Sequence, residues 1–244
     1  MQLTLLASSL FWVSQVAFSG EMTPQELTRR IDRLYRMDAS EAEITMKIQT
    51  PDWERELKIK SWAEGMDKTL MRILAPAKDR GVATLRVGKE MWNYFPKINK
   101  VMKIPPSMMM GSWMGSDFTN DDLVRQTSLE EEYDSSLVTE GENYILTLVP
   151  KKNTATVWGK IVSRVRKSDL LPVDQTFFDE KGEKVRIMEF SDVKDFGKIK
   201  LPSTMKLTPL KKPGNSTTVR YDSLRPRDKI EASMFTLRAL QERS

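Results

Sequence analysis

From Ala42 onward polar and apolar residues alternate with a period of two, and turn residues interrupt the alternation at short intervals. A side-chain period of two is that of a strand with one face in a core, so most of the chain is constrained to antiparallel β-structure. Ile44, Met46 and Ile48 alternate with Glu43, Thr45 and Lys47; Pro51-Asp52 reads as a turn, and Leu57 and Ile59 resume the pattern up to a second turn at Glu64-Gly65. Further strands are expected at 68–75, 81–88 and 90–95, with Gly81 and Gly88 as breaks, and a short one over 101–104 after the turn Pro96-Lys97-Ile98-Asn99-Lys100. Later strands are expected near 131–139, 143–149, 157–167, 172–180, 184–193, 201–209 and 217–224, with glycine-bearing turns at 140–143, 180–183 and 212–215.

Two segments depart from this pattern. Thr23-Pro24-Gln25-Glu26 carries a capping residue, a proline at the first helical position and the acid of a capping box. Leu27, Ile31 and Leu34 follow at helical spacing, predicting a helix over about 24–37. The other segment, 105–124, holds two prolines and two glycines and has no alternation, so it reads as a long loop with short helical pieces; Thr119 or Asn120 can start one, with Asp121 and Asp122 in its first turn. Phe235 to Leu240 reads as a last strand or a tail helix. The expected fold is mainly β with helices: a strongly curved antiparallel sheet covering an N-terminal helix and a helical or loop lid, with a closed up-and-down barrel as the alternative.

Residues 2–18 are uncharged and largely apolar, and Ala17-Phe18-Ser19 offers small residues at both positions of a cleavage site. This predicts a signal peptide at 1–19 and a single domain over 20–244 that is soluble in the periplasm. The chain contains neither cysteine nor histidine. Disulfides, thiolate and Ser-His-Asp catalysis, and zinc sites built on these ligands are therefore excluded. The 39 basic and 34 acidic residues give +5, interleaved along the chain, which does not point to nucleic acid.

Paired acids such as Asp121-Asp122 and Glu130-Glu131-Glu132 lie in polar sequence and read as solvated faces or helix starts. Gly111 to Ser116 lacks the lysine and the spacing of a phosphate loop. Neither a cofactor nor a catalytic residue is expected. What stands out is the crowding of Met108, Met109, Met110, Trp113, Met114 and Phe118 into one loop with few charges. Methionine adapts to variable apolar partners, so this segment reads either as a lid over an apolar ligand site or as a plug that fills the end of the sheet's core.

Arg80-Gly81-Val82, Lys89 to Pro96, Lys100-Val101 and Gly115 to Leu123 together resemble the LolA-like outer-membrane lipoprotein-sorting protein family, in a poorly characterised branch, over roughly 22–240. The resemblance implies an incomplete or half β-barrel closed by helices over an apolar cavity. It also implies a non-enzymatic carrier of a lipid or acylated protein, working with an inner-membrane exporter and an outer-membrane acceptor, with 105–118 as a covering segment. A cell-envelope protein-interaction module without lipid cargo is the alternative.

Overall fold

The computed structural model of the 244-residue protein describes residues 21–35, 37–124, 129–154, 156–197 and 199–242. The expected signal peptide lies outside the described residues. The chain opens with helix α1 (Pro24–Arg33), started by the full capping box: Thr23 Oγ1 accepts from the Glu26 amide, and the Glu26 carboxylate accepts from the Thr23 amide.

Two antiparallel meanders follow. The first contains β1 (Ala39–Gln49), β2 (Glu54–Glu64), β3 (Lys68–Ala75), β4 (Ala83–Val87), β5 (Glu90–Phe95) and β6 (Lys100–Lys103). The second contains β7 (Tyr133–Glu140), β8 (Asn143–Pro150), β9 (Lys160–Arg166), β10 (Pro172–Phe178), β11 (Lys184–Asp195), β12 (Lys200–Pro209) and β13 (Ser216–Pro226). Within each meander every strand pairs with its neighbours in sequence. The two are joined by β1 against β13, in a register running from Ser40 opposite Pro226 to Gln49 opposite Ser216.

The strand order is thus β6-β5-β4-β3-β2-β1-β13-β12-β11-β10-β9-β8-β7, a single open sheet. This corrects the expectation of a strongly curved incomplete or half barrel: the architecture is a large open antiparallel sheet with helices, neither strongly curled nor closed. The reason lies in the connectivity. Rolling the sheet up would bring β6 to β7, and the described parts of the chain between them, 104–124 and 129–132, lie over one face of the sheet.

Alternation along the strands gives the sheet two apolar faces. One is covered by α1 and by the insertion, which contains helices α2 (Asn120–Val124) and α3 (Leu129–Glu132). Leu27 and Ile31 of α1 pack with Leu129, Tyr133, Leu146, Leu148, Trp158 and Phe177 over the second meander. Trp113 packs with Ile48, Leu57, Ile59, Ile73 and Met91 over the first. The opposite face, with Leu70, Leu85, Trp92 and Tyr94, is covered by Ile230, Phe235 and Leu240 from the C-terminal segment and its helix α4 (Leu237–Gln241). Among the described residues no helix is long and apolar enough to cross a membrane.

Candidate functional site

Between the two covers the central strands are left partly unroofed. A cavity of ≈ 450 Å³ opens there, lined by β1, β2, β3, β10, β11, β12 and β13, by the end of α1 and by the insertion. Its sheet wall includes Ala42, Ile44, Met46, Ile59, Met71, Phe177, Met188, Phe190, Met205, Val219 and Leu224; its roof includes Ile31, Leu34, Tyr35, Trp113, Phe118 and Leu123. Such a wall excludes water from a long apolar group without committing to its shape, because methionine side chains adjust.

An aromatic stack forms one end. The Tyr35 ring lies 5.9 Å from Tyr221 and 6.4 Å from Phe190, near parallel to both. Tyr35 donates its hydroxyl to the Pro202 carbonyl at 2.7 Å. Burial pushes the Tyr35 phenol upward and the Tyr221 phenol up to about 12, so both rings are neutral in ordinary solution.

A buried ion pair marks the other end. Arg186 reaches Asp122 with two hydrogen bonds, at 2.6 and 2.9 Å, and its guanidinium carbon lies 4.3 Å from the ring centres of both Trp158 and Phe177. Its side chain is 6 % exposed, which is tolerable only because the charge is paired and stacked. Burial pushes the Asp122 carboxyl up, but the hydrogen bonds and charge of Arg186, helped by Thr119, more than offset it and hold the group below the usual carboxylate range.

The insertion is tied down along its length. Trp113 Nε1 donates to Thr84 Oγ1 at 3.1 Å, and Thr84 donates to Asn93 Oδ1 at 2.7 Å. The Asp117 amide donates to Thr217 Oγ1 at 3.0 Å, Arg55 donates to the Met114 carbonyl at 3.2 Å, and Arg86 donates to the Leu123 carbonyl at 3.2 Å. Gly115, at φ +78, makes the turn that lets Trp113 enter the core.

The six residues singled out in the sequence separate into three groups. Trp113 and Phe118 line the cavity. Met109 and Met114 pack into the core beside it. Met108 and Met110 face outward, 54 and 46 % exposed. The methionines on the cavity wall are Met37, Met46, Met66, Met71, Met188 and Met205, all outside the methionine-rich loop.

Sequence reasoning passed over Arg186, although a signal was present. Arg186 is in phase with Met188 and Phe190 on one strand face, and an arginine in an inward-facing register needs a partner. Asp122 does begin a short helix as expected, but it is held by Arg186 instead of lying on a solvated face. The two terminal nitrogens of Arg186 are taken up by Asp122 while its buried Nε has no hydrogen-bond partner, and among the described residues no cluster of acidic side chains could hold a metal.

A protein-family model described as "Uncharacterized protein" matches residues 65–242. The chain belongs to that family. No curated protein matches it. Among solved structures it is similar to a DUF1329 family protein from Desulfovibrio piger, at 26% identity and TM-score 0.80 over 89% of this chain and 98% of that one. It is similar in fold to a putative outer membrane lipoprotein-sorting protein domain from Vibrio parahaemolyticus, at 22% identity and TM-score 0.75 over 89% of this chain and 96% of that one. A LolA superfamily protein from Nitrosomonas europaea shares the fold at 17% identity and TM-score 0.73, over 90% of this chain and 100% of that one.

Proposed function

We propose that the protein is a periplasmic, non-enzymatic carrier or binding protein for a lipid or a lipid-modified protein. The apolar chain of the ligand occupies the cavity between α1 and the insertion. The observation that carries this reading is the cavity itself: ≈ 450 Å³, walled by aliphatic, aromatic and methionine side chains, and roofed by segments separate from the sheet. That size lies within the range of about 300–1,000 Å³ of small-ligand sites. An acyl chain gains about 0.8 kcal/mol per buried methylene, so sheltering it from water needs no covalent chemistry. The fold shared with a protein described as a lipoprotein-sorting domain supports the same reading. The reading includes transfer of the cargo between an inner-membrane exporter and an outer-membrane acceptor.

In this reading the segment with Met108, Met109, Met110, Trp113, Met114 and Phe118 is the cover. Trp113 and Phe118 touch the ligand, Met109 and Met114 seat the segment, and Met108 and Met110 form its outer side. Saturable binding of a fluorescent acyl probe is the test. Met205→Trp fills part of the cavity, and displacing even two methylenes should weaken the probe by about tenfold. Phe118→Ala should alter the probe's exchange rate with little loss of fold. The absence of saturable binding to the unmodified protein would refute the carrier reading. Unaltered exchange in Phe118→Ala would refute the cover.

A further inference from the structure

The outer side of the insertion is not polar. Ile98, Met102, Met108 and Met110 are 65, 42, 54 and 46 % exposed, all between 98 and 110, whereas the other exposed large apolar residues are spread from Trp53 to Leu237. Register places Met102 with the insertion. It pairs with Asn93, whose side chain joins Thr84 and through it Trp113, so Met102 lies on the insertion-bearing face. Met109, between Met108 and Met110, is packed into the core and fixes the turn that carries its two neighbours outward.

The segment that carries these side chains is itself basic. No acidic residue occurs between Glu90 and Asp117, while Lys97, Lys100 and Lys103 are exposed. Lys103 pairs with Glu90; Lys97 and Lys100 have no ion pair among the described residues. Lysines on an edge strand commonly guard it against pairing with another sheet. That accounts for the cations but not for the apolar side chains set among them. Clustered exposed apolar side chains mark an interaction site. Apolar tips flanked by two lysines without an ion pair are complementary to a bilayer surface bearing anionic headgroups: the tips enter the headgroup–acyl boundary, and the ammonium groups meet the negative surface potential.

We propose that residues 96–110 dock the protein on an anionic lipid bilayer, with Ile98, Met102, Met108 and Met110 in the headgroup layer and Lys97 and Lys100 against the lipid phosphates. The inference stands apart from the carrier reading, since docking needs no ligand in the cavity.

Co-sedimentation of the purified protein with phosphatidylglycerol–phosphatidylethanolamine vesicles, and separately with phosphatidylcholine vesicles, tests it. Saturable binding to the anionic vesicles, weakened by added salt and much lower on the neutral ones, is expected. Neutralising one lysine should cost about fivefold in partitioning, and Lys97→Gln with Lys100→Gln roughly thirtyfold. Met108→Ser with Met110→Ser should lower binding further at unchanged melting temperature, because both side chains are exposed. The lysine variant should keep the acyl-probe affinity of the unmodified protein, which separates docking from cargo binding. Failure of the unmodified protein to sediment with anionic vesicles would overturn the proposal, as would a lysine variant that sediments equally well. Self-association lost in these variants, without vesicle binding, would make the corner a contact between copies and would overturn it as well.

Discussion

Arg186 and Asp122 show how much of this site depends on single residues. The pair joins β11 to the insertion, and removing one partner leaves the other charge buried. Asp122→Asn should cost about 3 kcal/mol, at the low end of the usual loss for a broken buried pair, since the Asp122 side chain keeps 20 % exposure. The pH dependence has a definite sign. The Asp122 carboxyl is held below its ordinary value in the folded protein, so the folded state binds this proton less readily than the unfolded chain does. The stabilisation is complete above the ordinary carboxylate value, about 4, and is lost as pH falls below it towards the folded value. Denaturant titrations from neutral to acid pH should show a shallower acid decline in Asp122→Asn than in the unmodified protein. Trp113 makes a different contribution, through volume and one hydrogen bond. It is 2 % exposed. Trp113→Ala should cost about 3–5 kcal/mol by leaving a cavity, whereas Trp113→Phe, which chiefly removes the hydrogen bond to Thr84, should cost about 1 kcal/mol. Equal losses in chemical denaturation would contradict this division.

At the scale of elements, α1 is the part most clearly written in local sequence. Its capping box, Pro24 and the Leu27–Ile31 stripe all appear as expected, because each involves residues within a few positions of one another. Regular helix stops at Arg33, short of the expected 37, and Leu34 and Tyr35 then turn to the cavity. Thr23→Ala should destabilise the helix by about 1 kcal/mol. Since α1 roofs the cavity, the change should appear as faster amide exchange confined to α1, with the amides of β1 and β13 unaffected. The insertion gives the opposite lesson. Its irregularity was legible from prolines, glycines and the missing alternation. Its inward and outward sides were not, because a loop has no fixed period from which to read them. Hence Met108 and Met110 look the same as Met109 in sequence and differ in exposure.

For the molecule as a whole, the seam between β1 and β13 is decisive. It pairs residues near 40 with residues near 226 and makes one sheet of two meanders. Contacts so distant in sequence form late and slowly. Once formed, they place β1, β13 and β12 at the centre of the sheet. Hydrogen exchange should show the slowest amides in those three strands and the fastest strand amides in the edges β6 and β7. Slow exchange at β6 and β7 matching that of the centre would point to an added partner on those edges. The sequence alone determined the strands, most of their boundaries, the first helix, the turns and the absence of cysteine and histidine chemistry, since each depends on residue identity or on neighbours a few positions apart. Only the tertiary structure decided that the sheet stays open, that β1 meets β13, that Arg186 faces Asp122, and that two covers leave a cavity between them. Alternation fixes which face a side chain takes but not which strand lies beside it; those partnerships are chosen by burial summed over the whole chain.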